Sequence, residues 1–210
     1  MGRSAKMKIL VACEFSGTIR DAFRNKGHDA WSCDTLPCDS DKKYHYNCDI
    51  FEVLDNGWNM MIAHPPCTYL SVTGNRWMQP KYAEKYPTRQ QDRLDAIEFF
   101  MKLANADIEK ICVESAQGIM STKWKKPTQI IQPYEFGHSV AKRTCLWLKN
   151  LPPLMQTVIV EPEYVTYNSG KRLSKWYADI GAKKYPPQKR MKLRSKTFDG
   201  IAQAMADQWG

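Results

Sequence analysis

The chain has 210 residues, 43% apolar and 25% charged, which suits a globular domain with a packed core rather than a disordered chain. Its formal charge of +9 points to a polyanionic partner such as nucleic acid. No apolar run is long enough to span a membrane, no secretion signal opens the chain, and seven scattered cysteines argue against a disulfide scaffold, so a cytoplasmic protein with free thiols is expected. Met1 to Lys6 read as a leader or expression scar before a second start at Met7, leaving one domain over residues 7–210.

Lys8 to Cys13 is a short apolar run that predicts a first strand. Thr18 to Lys26 follows as a helix stopped by Gly27, and Asp29 to Cys33 as a second strand closed by Asp34. This opening is that of a doubly wound α/β sheet. A third strand-like element ends near Cys48, Asp49 and Ile50, and Trp58 to Ala63 is a buried strand running into His64-Pro65-Pro66-Cys67. Ser71 to Pro87 has the composition of a long loop. Thr88 is the expected N-cap of a helix to Ala106, with Leu94, Ile97, Phe100, Met101 and Leu103 on its packed side. Further strands are expected at Ile108–Val113, Gln132–Phe136 and Thr144–Leu148, and a last helix at Gly200–Trp209.

In an open α/β sheet, ligands bind beyond the carboxyl ends of the strands. Glu14 to Gly17, Asp34, His64 to Cys67 and Glu114 all fall there. Phe15, Ser16 and Gly17 open a helix and let the backbone approach a polar or anionic group; a plain tight turn explains them equally. Asp34 is placed to accept from the ribose hydroxyls of a nucleoside cofactor, and Asp49 from an exocyclic amine, although each also suits a cap or a solvated turn.

Two prolines stiffen the approach to Cys67 and expose it past the strand end, which favours a nucleophile over a packed thiol. Glu114, at the end of a neighbouring strand, can bond the ring nitrogen and amine of cytosine and so make its C6 carbon electrophilic. A thiolate adding at C6 then turns C5 into a centre able to accept a methyl group. Cys33, Cys38, His45 and Cys48 lie close in sequence, but their spacing matches no common zinc motif, so no metal is expected. Between Lys171 and Lys196 ten Lys or Arg residues face one acid, Asp179, among Trp176, Tyr177 and Tyr185, a mixture suited to phosphate contact and base stacking as well as to a solvated face.

Taken in order, these segments resemble the cytosine-5 DNA methyltransferase family over nearly the whole chain, most closely its short, phage-type members. Phe15-Ser16-Gly17 resembles the family's first cofactor motif, Asp34 the acid after the second strand, and Cys48-Asp49-Ile50 the adenine-contacting motif. Pro65-Pro66-Cys67 followed by Ser71 is similar to the catalytic motif, with Thr68 where glutamine is usual. Arg93 and its helix lead to Val113-Glu114-Ser115, which resembles the Glu-Asn-Val motif. Tyr134 to Gly137 through Lys142 and Arg143 resembles the segment of the Gln-x-Arg-x-Arg motif, and Thr197 to Ala204 the final motif beside the cofactor.

The resemblance implies a Rossmann-like, S-adenosyl-L-methionine (AdoMet)-dependent methyltransferase fold, with Cys67, Glu114 and Arg143 catalytic. Glu14, Phe15, Ser16, Gly17, Asp34, Asp49, Pro65 and Thr197 would hold AdoMet. Ser71, Arg76, Lys142, Lys171, Arg172, Lys189 and Arg190 would meet DNA. A short basic segment, residues 152–196, stands where the family has a larger target-recognition domain. That shortness keeps two alternatives open: methylation of a free or single-stranded pyrimidine nucleotide, and a non-catalytic DNA-binding protein that retains the fold. A homodimer or a separate specificity partner is also compatible with it.

Overall fold

The computed structural model describes residues 5–181 and 184–210; residues 1–4 of the expected leader lie outside the described residues. The strands are β1 (Lys8–Ala12), β2 (Asp29–Cys33), β3 (His45–Tyr46), β4 (Met60–Ala63), β5 (Lys110–Ala116), β6 (Gln129–Ile131), β7 (Thr144–Lys149), β8 (Tyr164–Thr166) and β9 (Arg172–Ser174). The helices are α1 (Thr18–Asn25), α2 (Arg89–Ala104), α3 (Met120–Lys123), α4 (Lys175–Asp179), α5 (Pro187–Ser195) and α6 (Asp199–Trp209). Among the described residues, seven strands form one sheet in the order β3-β2-β1-β4-β5-β7-β6. All neighbours are parallel except β7, which runs antiparallel to both β5 and β6. The chain is therefore α/β with helices on both faces of a mostly parallel, Rossmann-like sheet.

Side-chain alternation sends β1 to two cores. Ile9 and Val11 pack with Ile19 and Phe23 of α1 and with Ile201, Met205 and Trp209 of α6. Leu10 and Ala12 face the other way, with Phe100 and Leu103 of α2 and with Met61, Ile111 and Val113. Burial on both faces explains why β1 and β4 are continuous apolar runs rather than alternating ones.

Several expectations need correction. The third strand stops at Tyr46, because Asp49 and Glu52 form a reciprocal capping box that turns Ile50–Glu52 into a 3-10 helix. The strand expected at Gln132–Phe136 lies instead at Gln129–Ile131; Pro133 ends it, and Pro133–Phe136 is a 3-10 turn closed by Gly137 at φ 86°. Leu94 is 59% exposed and belongs to the solvent face of α2. Thr88 is not a backbone cap: its hydroxyl donates to Asp92 Oδ2 at 3.1 Å. Residues 71–87 are largely short 3-10 turns, and the segment from 152 onward contains the hairpin β8–β9 and the helices α4 and α5. Among the described residues, no helix is long and apolar enough to cross a membrane.

Candidate active site

The sheet reverses its winding between β1 and β4: β1 continues to β2, while β4 continues to β5. Such a switch point opens a crevice beyond the carboxyl ends of the strands. Backbone bonds carry the sheet into it, Glu14 N–H donating to Cys33 O at 3.1 Å and His64 N–H to Ala12 O at 2.9 Å.

One half of the crevice is built after β1, β2 and β3. Cys13 has a left-handed backbone, φ 59°, which costs on the order of 1 kcal/mol in a non-glycine residue and turns the chain sharply into α1. Glu14 is 5% exposed and acts as a cap for α1, accepting from Ile19 N at 2.7 Å and Arg20 N at 3.3 Å. Burial still pushes its carboxyl up against those bonds. Ser16 Oγ accepts from Thr18 N at 3.3 Å. Gly17 is required at φ 74°, and a Cβ there would lie 2.2 Å from Ser40 Oγ, so its bare face is filled by the protein itself.

Asp34 is half-buried, accepts from Leu36 N at 2.8 Å, and is pushed up by burial. Asp49 is exposed and accepts from Phe51 N at 2.9 Å. Both act on Cys13, whose thiol is pushed up to about 12 by burial, then by Asp34 and Asp49, so the two carboxylates share one region. Among the described residues neither is in an ion pair. Phe15 is buried beneath Lys192 and Lys196, whose amines lie 5.1 and 5.9 Å from its ring centre. Those lysines pair with Asp39 at 2.5 and 2.8 Å, so the end of α5 clasps the rim of this half.

The other half stands at the ends of β4 and β5. Pro65 is buried, while Pro66 and Cys67 are exposed. Leu70 N–H and Ser71 N–H both donate to Cys67 O, at 3.1 and 2.9 Å, which closes a tight turn around the cysteine. Gly118 locks that turn onto the chain after β5, because a Cβ there would lie 1.9 Å from Leu70 O and prevent the bond from Ile119 N to Leu70 O at 2.8 Å.

His64 Nδ1 and Glu114 Oε2 are 2.6 Å apart, with 9% and 18% of their side chains exposed. Burial pushes Glu114 up, but the His64 hydrogen bond, the charge of His64 and that of Lys142 outweigh it and hold the carboxyl below its ordinary value. Although Cys67 as a residue is open to solvent, the atoms packed around its sulfur push the thiol up, and Glu114 adds to this, with Lys142 opposing. A cavity of about 10 Å³, enough for one water, is lined by His64, Glu114, Lys142, Thr144 and Thr197. His64 Nε2 is buried without a partner among the described residues.

The structure thus brings Glu114, Lys142 and Thr197 around one cavity, adds His64, and sets Cys67 within the charges of Glu114 and Lys142. Lys142, expected at the nucleic-acid surface, is the cation that acts on both Cys67 and Glu114; it also donates to Arg194 O at 3.0 Å. Arg143 is exposed, and its charge falls on Cys145. Tyr177 of α4 feels both Cys67 and Glu114, which places the expected basic segment beside the nucleophile. Ser71 is buried and bonds Thr73 Oγ1 at 3.0 Å, whereas Arg76, Lys171, Arg172 and Lys189 are exposed and Arg190 is half-buried.

Sequence reasoning put His64 at the crevice but assigned it no role, although a signal was available: Ala63 and Val113 are register partners, so the next residues, His64 and Glu114, meet at the strand ends. It also missed Arg20, fully buried and bonded to Ser32, Cys38 and Ser40, where it braces β2 and its following loop against α1. The four groups weighed as zinc ligands are otherwise engaged: Cys33 lies beside Cys48 at 3.9 Å, Cys38 bonds Arg20, and His45 bonds Ser32 and Leu36 O. Among the described residues no three His, Cys, Asp or Glu groups could hold a metal ion. No protein-family model matches the chain, and no curated protein matches it.

Proposed function

We propose that this chain is an AdoMet-dependent methyltransferase acting on C5 of cytosine in DNA, with Cys67 as nucleophile. The observation that carries the reading is that exposed Cys67 stands within the charge of Glu114, itself bonded to His64, at the open end of a doubly wound sheet. A cysteine packed only for structure would have no reason to stand exposed behind two prolines next to an oriented carboxylate.

The other half of the crevice fits the cofactor. Asp34 and Asp49 offer acceptors to ribose hydroxyls and an adenine amine. As carboxylates without internal cations among the described residues, they also favour a ligand carrying positive charge. AdoMet, when bound, supplies an electrophilic methyl group. Glu14 and Gly17 serve chiefly to shape the turn, and Thr197 reaches the crevice from the Glu114 side.

Cys67 rests as a thiol, so it is activated on substrate binding rather than held ready. Its proton passes to Glu114 as sulfur adds to C6 of the flipped-out base. Glu114, held in place by His64, accepts from the exocyclic amine and passes the thiol's proton to the ring nitrogen, which takes up the charge that addition places on the ring. C5 takes the methyl group with release of the demethylated cofactor, its hydrogen passes to water as a proton, and the Cys67–C6 bond breaks, so that the ring is aromatic again and the proton on the ring nitrogen returns to the sulfur. Lys142 stabilises the negative sulfur as it forms on addition and again as it leaves C6.

Incubation with AdoMet and DNA, followed by nucleoside mass spectrometry, is expected to give 5-methylcytosine. AdoMet binding without any 5-methylcytosine would overturn the assignment, and product from dCMP but not from DNA would move it to the nucleotide pool.

A further inference from the structure

Two regions of the surface combine cations with aromatic rings, and they differ in what their cations already hold. In the segment expected to meet nucleic acid, four of the nine described cations are occupied by acids: Lys175 by Glu163 at 2.7 Å, Lys184 by Asp179 at 3.1 Å, and Lys192 and Lys196 by Asp39 at 2.5 and 2.8 Å. Lys171, Arg172, Lys189, Arg190 and Arg194 are in no ion pair among the described residues. The segment after Cys67 carries Arg76, Lys81, Lys85 and Arg89 against one acid, Glu84. Among the described residues none of those four cations is in an ion pair.

They are instead interleaved with rings. Trp77 meets Tyr82 and Tyr86 edge-on, with centres 4.9 and 5.5 Å away. Arg76 lies over Trp77 at 4.1 Å, and Arg89 lies 5.1 Å from the Tyr69 ring and 5.8 Å from Tyr86. Arg89 and Arg93 are neighbours on α2 whose like charges oppose each other, so an anion laid between them gains twice. The surface is tied to the nucleophile: Arg93 Nε donates to Tyr69 O at 3.1 Å, and Ser71 N–H to Cys67 O at 2.9 Å.

We propose that the segment Ser71–Arg89 is a platform for an unpaired DNA strand, its cations taking phosphates and its Trp77–Tyr82–Tyr86 cluster stacking a base beside the one that reaches Cys67. The clustered rings are the reason for an unpaired strand: ring faces can stack only on bases that are not already paired and stacked in a duplex. Short 3-10 turns also project no helix or ribbon for a major groove. The inference rests on the methyltransferase reading only for where the reacting base stands.

Binding is measured by fluorescence anisotropy in the full chain carrying Cys67→Ala, without AdoMet, so that methyl transfer plays no part. A labelled unpaired oligonucleotide is expected to bind more tightly than the matching duplex, with affinity falling as salt rises. Four phosphate contacts give a log–log slope of about −3. Arg76→Ala with Arg89→Ala is expected to reduce that slope by about 1.4. Trp77→Ala is expected to weaken binding about 10-fold with the slope unchanged, and Trp77→Phe to retain most of it. Lys184→Ala, on a lysine already paired with Asp179, is expected to leave binding as it was. Tighter binding of the duplex, loss of binding equally from Trp77→Phe and Trp77→Ala, or loop variants that bind like the parent would overturn the proposal. Strand binding together with failure of all methyl transfer would retain the platform and remove the enzyme.

Discussion

The two halves of the crevice each hold an enclosed glutamate at a strand end, and their acidities move in opposite directions. Glu14 accepts two backbone N–H groups of α1, yet burial prevails and its carboxyl is pushed up. Glu114 is enclosed too, but a hydrogen bond and charge from His64, with the charge of Lys142, bring it below the ordinary value. At Glu14 the backbone N–H groups and the unbonded charges of His64 and Arg20 do not offset the loss of water; at Glu114 a direct side-chain hydrogen bond from His64 does. Divergent carboxylates of this kind separate tasks. The first half is a scaffold that presents Asp34 and Asp49 to a cofactor, and the second is a chemical centre charged and oriented around Cys67.

Substitutions on either side should therefore fail differently. Glu114→Gln is expected to slow methyl transfer by about 10²- to 10⁴-fold, while AdoMet affinity, read by calorimetry, stays near that of the parent. An equal loss in cofactor binding would mean that the halves are not separate. Asp34→Ala is expected to weaken AdoMet about 10-fold or more, with turnover at saturating cofactor little changed; a lost rate with intact affinity would reverse the two roles.

His64→Asn removes the partner that holds Glu114 down, so the Glu114 carboxyl, followed by carbon-13 NMR, should titrate at higher pH and methyl transfer should fall about 10-fold. In the parent, Glu114 adds stability that is present above its unfolded value of about 4.5 and lost as pH falls through its lower folded value; that acid-side loss should shrink in the variant. An unmoved Glu114 titration would dismiss His64 as its positioning residue.

The smallest effect belongs to Glu14→Gln. The folded carboxyl binds its proton more tightly than the unfolded one, so the parent loses stability as pH rises from about 4.5 through the raised folded value. The variant should lack that slope in denaturant titrations and methylate at the parent rate. A large rate loss would place Glu14 in the chemistry.

Much of this arrangement was legible along the chain because strand ends are marked locally. Apolar runs located β1, β2, β4 and β5, and topology then placed Asp34, Cys67 and Glu114 at one edge of the sheet. What escaped was non-local. The Lys142 amine reaches Cys67 and Glu114 from beyond the 3-10 turn at Pro133–Phe136, and Arg20 is buried by partners up to 20 residues away. The clasp of Lys192 and Lys196 on Asp39 crosses most of the sequence. Composition alone also could not tell that four lysines of the C-terminal segment are paired with acids while the four cations after Cys67 are not, since ion pairs are made across the fold. The corrected turns at Asp49 and Pro133 arose where capping boxes and proline overrode strand-like residues.

The central claim is that Cys67 adds covalently to a pyrimidine ring, and trapping tests it most directly. With AdoMet and single-stranded DNA containing 5-fluorocytosine, fluorine replaces the C5 hydrogen whose loss would free the enzyme, so the adduct persists. The expected result is a complex stable to denaturation, mapped by peptide mass spectrometry to Cys67, slowed in Glu114→Gln and absent in Cys67→Ala. Demonstrable binding of both AdoMet and DNA with no adduct, or an adduct that survives Cys67→Ala, would contradict it.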